Sequence, residues 1–328
     1  MLKKITIGLL IWIALLWGWN TSLFIQSDTS NPQLIAHRGV HQTFDAGGVG
    51  RDDCTALLIG RPTHAYLENT IESMKAAFAY GADVVEIDIH PTPGGEFVVF
   101  HDWTLDCRTN GSGVTRKMRL AELQTLDIGY GYTFDGGKTY PFRGSAIGGM
   151  PTLAQVFTAI PDGKFLINFK GNQSRGGRNF ASFMEANPKW ILSVWGVYGG
   201  KRPTDIAPTI LNIRGYSRPS TKACLKEYVL KGWSGHVPQA CRNTYVVVPE
   251  NYAKFMWGWP HKFTKRMANA GSEVILLGPY SSGNAGSTGI DDAVLYRKIP
   301  ENFDGYIWTN KIEIIGPMAK PDKNKSNP

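Results

Sequence analysis

The chain has 328 residues, 42% of them hydrophobic, which is enough to bury one large α/β core or two smaller ones. A formal charge of +8 suits an anionic partner such as phosphate or an acidic membrane surface. The basic residues are scattered, so a nucleic-acid partner is not expected.

From the N-terminus, Lys3-Lys4 precede an uncharged, mostly apolar run that reaches Ser27. This pattern predicts a membrane anchor or signal segment over residues 1–28. With no small-x-small cleavage site, an uncleaved anchor is favoured over a signal cut to give a secreted protein. Lys3 and Lys4 would stay cytoplasmic and the rest would lie outside, in the periplasm of a Gram-negative cell. Four cysteines agree with export and allow three pairings. Local pairing, Cys54–Cys107 and Cys224–Cys241, would brace two loop-rich regions, and no Cys-x-x-Cys spacing supports zinc.

Residues 33–36 read as a buried strand ending at His37. Residues 40–66 lack periodicity and form a long insertion, which suggests a functional loop or lid. A helix follows, capped by Asn69 or Thr70, with Ile71, Met74, Ala77 and Phe78 on one side and Gly81 at its end. Strands are expected at 84–90 and 97–100, joined by Thr92-Pro93-Gly94-Gly95. Helical patterns at 119–126 and 153–160 lead to a strand at 165–170. Further strands are expected at 191–197, 209–213, 245–248, 274–277 and 305–308, with a helical stretch at 252–270. The alternation points to a parallel sheet, barrel or doubly wound, and no Gly-rich phosphate loop follows the first strand. The Lys- and Pro-rich tail, 317–328, is expected to be disordered.

The chemistry gathers on the strand Val84-Val85-Glu86-Ile87-Asp88-Ile89-His90. Alternation puts Glu86, Asp88 and His90 on one face, with the two carboxylates close enough to share a hard cation. His37-Arg38-Gly39, Glu68-Asn69-Thr70 and His101-Asp102 stand at the ends of neighbouring elements. Two imidazoles can exchange protons near neutral pH, and a cation with Arg38 can neutralise a phosphate.

Residues 35–39, 67–70, 81–88 and 100–109 together resemble the glycerophosphodiester phosphodiesterase family, in order, spacing and flanking residues. The resemblance implies a distorted (β/α)8 TIM barrel, here over residues 32–316, that hydrolyses phosphodiesters with a divalent cation, Ca²⁺ or Mg²⁺. It implies that His37 and His101 are the acid–base pair, that Glu86 and Asp88 are metal ligands, and that Arg38 and Lys170 contact phosphate. Glu68 would orient Arg38 or lie near the cation, with a helix-capping role equally open. His90 would be a wall residue, and Trp308 is a candidate for lining the substrate pocket. One departure stands out: where the family carries Glu-x-Lys and uses the Glu as a third ligand, this chain has Asn168-Phe169-Lys170. Asn168 would ligate through its carbonyl without charge, giving a weaker site. Glycerophosphodiesters or lysophospholipids are the expected substrates. The alternatives are a phospholipase of the related superfamily and a non-catalytic phospholipid-binding protein.

Overall fold

The computed structural model describes residues 2–23, 25, 32–45, 47–50, 53–282 and 288–321. Eight parallel strands form a nearly closed barrel: β1 (Gln33–His37), β2 (Val84–Pro91), β4 (Phe165–Phe169), β5 (Val194–Gly199), β6 (Gly215–Ser217), β7 (Tyr245–Pro249), β8 (Glu273–Leu277) and β9 (Tyr306–Thr309). β3 (Phe97–Val99) hairpins antiparallel onto β2. The ladder runs β6-β5-β4-β2-β1-β9-β8-β7. Its ends meet where the Thr244 hydroxyl donates to the Gly215 carbonyl at 2.8 Å.

Helices cover the barrel as the alternation predicts: α2 (Ile71–Ala79), α3 (Leu120–Leu123), α4 (Leu153–Ala159), α5 (Ser174–Glu185), α6 (Lys201–Leu211), α7 (Arg218–Lys231), α8 (Glu250–Ala253), α9 (His261–Asn269), α10 (Ala293–Tyr296) and α11 (Ile312–Ala319). Of the two capping candidates for α2, Thr70 caps it, its hydroxyl accepting from the Ser73 amide. Residues 209–213 are not a strand. The β-branched run there belongs largely to α6, whose Pro203, Thr204 and Ala207 are buried at helical spacing beside α5. The stretch 252–270 is two helices, parted around Gly258 and Pro260.

Aromatic rings close the barrel interior. Trp195 lies 4.0 Å from Tyr245, Tyr198 stacks on Tyr216 at 5.0 Å, and Trp308 sits in the same cluster with Ile35, Leu166 and Ile275. Gly196 makes this possible, since a Cβ there would meet the Tyr245 ring at 2.4 Å.

The insertion, 40–66, packs against a second excursion between β3 and α4. Ala56, Ile59 and Leu67 share a core with Tyr132 and Phe142, and the expected Cys54–Cys107 disulfide joins the two; Cys224–Cys241 is present as well.

Both chain ends differ from expectation. The segment at 1–28 contributes a 19-residue helix, α1 (Leu2–Asn20), whose Ile5, Leu9 and Leu15 are exposed. Among the described residues no helix is long and apolar enough to cross a membrane. Lys4 at one end and the Trp, Gly and Asn residues at the other leave an apolar stretch shorter than the roughly 20 residues a bilayer needs. The far end of α1 is fastened to the barrel domain, with the Asn20 amide donating to the Trp233 carbonyl at 2.9 Å. At the other terminus Pro317 lies inside α11, and Lys320 pairs with Asp83 at 2.5 Å, so order continues past the expected start of the tail. Residues 322–328 of that tail lie outside the described residues.

The Cys54–Cys107 bridge spans a separation of 53 residues, for which loop-closure entropy gives about 4 kcal/mol. Cys54→Ser with Cys107→Ser is expected to lower unfolding stability by roughly 2–4 kcal/mol in urea titrations without reductant. An unchanged midpoint would mean that the shared apolar core alone holds the two insertions.

Candidate active site

Parallel strands deliver their C-terminal ends to one rim, and the polar residues gather there. His37 ends β1, Glu86 and Asp88 lie on β2, Lys170 follows β4, Tyr198 is on β5 and Asn310 follows β9. Register builds the floor: His37 pairs with Glu86, and Asp88, Asn168, Tyr198 and Tyr216 form one row across β2, β4, β5 and β6. The turn after β1 is strained, with Arg38 at φ 58° and Gly39 at φ 79°. A Cβ on Gly39 would also come within 2.9 Å of the Ser73 backbone.

Glu86 and Asp88 are both wholly buried, so every oxygen needs a partner. Asp88 Oδ1 accepts from Asn168 Nδ2 at 2.8 Å and lies 3.7 Å from Lys170 Nζ. Its Oδ2 accepts from Asn69 Nδ2 at 3.1 Å and pairs with Arg38 Nε at 3.3 Å. Glu86 Oε1 accepts from the Tyr198 hydroxyl at 2.7 Å, and Oε2 accepts from the Arg38 amide at 3.2 Å. His37 Nε2 is 3.7 Å from that same Oε2, while its Nδ1 meets Asn310 Oδ1 at 2.6 Å. His101 Nδ1 meets Asp102 Oδ1 at 2.6 Å. Its side chain is 26% exposed, more open than those of His37, Arg38, Asp102 or Lys170.

Burial pushes the His37 and His101 imidazoles well below their ordinary range, and Arg38 adds to the effect on each. The acids split. Burial, then neighbouring Asp88, raises Glu86 to about 8. Burial pushes Asp88 up too, but Lys170, His101 and Arg38 outweigh it and hold it below the carboxylate range. Glu68 is depressed in the same way, with Arg108 and Arg38 overcoming burial.

The sequence-predicted residues therefore converge, and the contacts of three of them define what they touch. Glu68 pairs with Arg38 at 3.1 Å and Arg108 at 3.3 Å, so it orients guanidinium groups and does not cap the helix. Asn69, at φ 60°, grips Asp88 twice, its Oδ1 also accepting from the Asp88 amide at 3.1 Å. Trp308 is 1% exposed with its ring 4.9 Å from that of His37, so it supports the histidine from beneath and does not line a pocket. His90 is wholly buried, its ring set edge-on to that of Trp103.

Three participants had no assigned role. Arg108 is 2% exposed and pairs with both Glu68 and Asp102, at 3.3 and 3.2 Å, while its Nη2 donates to Thr55 in the insertion. Tyr198 and Asn310 enter by strand register, and Asp291 in turn accepts from the Asn310 amide at 2.8 Å. Their only sequence signal is position at or just beyond a strand's C-terminal end.

The cation implied by the resemblance finds a poor cage. Asn168, the expected third ligand, presents its amide nitrogen, and among the described residues no group of three or more His, Cys, Asp or Glu could hold a metal ion.

Residues 37–197, just under half of the chain, match the Glycerophosphoryl diester phosphodiesterase family. A glycerophosphodiester phosphodiesterase of Caldanaerobacter subterraneus subsp. tengcongensis is 39% identical over 105 residues, 31% of this chain and 39% of that protein. The chain thus spans about two fifths of that relative's length. The crystal structure of the glycerophosphoryl diester phosphodiesterase domain of a Mycobacterium tuberculosis protein superposes with a TM-score of 0.62 at 18% identity, covering 88% of this chain and 99% of that one. An Oleispira antarctica phosphodiesterase, solved with its product sn-glycerol-3-phosphate, gives 0.52 at 19% identity, covering 88% and 97%. At these identities the two structures establish the shared fold.

The buried titrations set a pH profile for stability. His37, His41, His90 and His101 all lie below 6.5 in the folded chain, so the unfolded chain binds protons more readily and stability falls as pH drops below that value. Glu86 acts oppositely, its contribution being lost as pH rises toward 8. Urea midpoints should therefore peak near pH 6.5 and drop by pH 5, with His41→Gln flattening the acid limb. A midpoint constant from pH 7 to 5 would mean that these rings take up protons alike in the folded and unfolded chains.

Proposed function

We propose that the chain, whose residues 37–197 match the Glycerophosphoryl diester phosphodiesterase family, belongs to that family and hydrolyses glycerophosphodiesters to an alcohol and glycerol phosphate. The observation that carries this reading is the pair of histidines, His37 and His101, set around one buried cluster of Arg38, Lys170, Glu86 and Asp88. A bound diester places its non-bridging oxygens toward Arg38 and Lys170, whose fixed charges stabilise the charge that grows in the transition state. Water attacks phosphorus, the bond to the departing alcohol breaks, and one proton leaves the water while another reaches the alkoxide.

The partners of the two rings divide that work. His37 is backed by a neutral amide, so its Nδ1–H donates to Asn310 and its Nε2 keeps a lone pair: it is the base. His101 is backed by a carboxylate, which supports an imidazolium, and a bound phosphate anion draws a proton onto it: it is the acid. Glu68, Asn69 and Arg108 hold Arg38, Asp88 and Asp102 in position.

A lysophospholipid headgroup ester is the second substrate reading, favoured by the exposed apolar side chains of α1. These side chains fit contact with a lipid surface. The two disulfides fit an oxidising compartment, which supports an extracytoplasmic location.

His37→Ala and His101→Ala should each lower kcat on glycerophosphocholine by about 10²–10⁴. On a p-nitrophenyl diester, whose leaving group needs no proton, His101→Ala should recover most of that loss and His37→Ala should not. Rescue of the His37 variant instead would exchange the roles. Full activity in both would remove the pair from the reaction.

A further inference from the structure

Resting on the phosphodiester reading above, we infer that this site binds its substrate with the fixed cations Arg38 and Lys170 and takes no divalent metal ion. Ca²⁺ takes six to eight oxygen ligands and Mg²⁺ an octahedron of them, anchored by carboxylates with free lone pairs. This chain supplies two adjacent carboxylates, Glu86 and Asp88, and across the β2–β4 register the residue facing Asp88 is Asn168.

Asn168 offers the pair a donor, with Nδ2 2.8 Å from Asp88 Oδ1. That orientation is forced, because a carboxylate accepts only, and turning the amide over would set oxygen against oxygen. Asn69 repeats the arrangement on Oδ2, and it is locked in place because its own oxygen accepts from the Asp88 amide. With the Tyr198 hydroxyl on Glu86 Oε1 and the Arg38 amide on Oε2, all four oxygens face hydrogen-bond donors. A metal ion would have to displace donors held by strand register and by a left-handed turn.

The positive charge such a site needs is built in. Lys170 Nζ stands 3.7 Å from Asp88 Oδ1 and 5.8 Å from the centre of the Trp103 ring, and Arg38 Nε stands 3.3 Å from Oδ2. An ammonium and a guanidinium on opposite oxygens of one carboxylate offer a phosphate two cationic contacts. The same two charges repel a dication. Replacing the third acid by Asn168 thus converts a cation cage into a cradle that carries its own charge.

The test separates metal binding from turnover. The full chain, stripped with EDTA, is melted with and without 5 mM CaCl₂ or MgCl₂, beside Asn168→Glu, with Asn168→Asp as the second variant should the first not fold. The wild-type midpoint should move by less than about 1 °C, and the carboxylate variant by about 5 °C. Diester turnover in EDTA should stay within about twofold of that in Ca²⁺. The inference is overturned by a saturable wild-type shift matching the variant's, by a variant that gains no shift, or by turnover lost in EDTA and restored by Ca²⁺. Absence of turnover under every condition would remove the proposed reaction, and the melting data would still decide the metal question.

Discussion

Asp88 is the constraint around which the site is arranged. A carboxylate without solvent contact is costly unless charge and hydrogen bonds replace the lost water. Here an amide from β4, an amide from the turn before α2, a guanidinium from the turn after β1 and an ammonium from the end of β4 all converge on it. Those four groups come from three separate stretches of chain, so meeting the needs of one side chain fixes the relative positions of the elements that carry it. Such clusters contribute little net stability compared with apolar packing. What the cluster provides is an ammonium and a guanidinium held on either side of one carboxylate, suited to the phosphate binding proposed above.

That work is strengthened by what lies beneath. Tyr198, Tyr216, Tyr245, Trp195 and Trp308 fill the barrel below the acids, and Trp308 sits under the His37 ring. An aromatic floor excludes water, so the field of Arg38 and Lys170 is screened mainly from the open side, where a substrate would sit. Tyr198 belongs to both layers, its ring stacked on Tyr216 and its hydroxyl bonded to Glu86.

Much of this was legible in the sequence because it is local. Glu86-x-Asp88 lies within a strand and His37-Arg38-Gly39 and His101-Asp102 at or just beyond strand ends, where period-two alternation and short turns fix which way each side chain points. The disulfide pairing followed from proximity to loop-rich segments. What could not be read depends on register between distant strands: Tyr198 reaches Glu86 across 112 residues and Asn310 reaches His37 across 273. The α6 segment misled because Thr209 and Ile210 favour strands intrinsically, whereas burial of Pro203, Thr204 and Ala207 selects the helix. Asn168 stands opposite Asp88 and presents its amide nitrogen. Sequence names an amide, and only the neighbouring carboxylate decides which end of it faces inward.

Arg108 shows how the insertions bear on the site. It touches no expected substrate position, yet it joins Thr55 in the first insertion to Glu68 and Asp102, and its guanidinium lies 5.5 Å from the centre of the Tyr132 ring in the second. Glu68 in turn orients Arg38, and Asp102 orients His101. The neighbouring Cys54–Cys107 bridge covalently fixes the two insertions that Arg108 spans. A barrel rim assembled from independent loops would leave Arg38 and His101 free to drift apart, and in the reaction proposed above a difference of about 1 Å would cost substantially in positioning. One buried guanidinium, seated where the two insertions meet, couples those groups, so the long segment between β1 and α2 is better understood as part of the site's scaffold than as a lid over it.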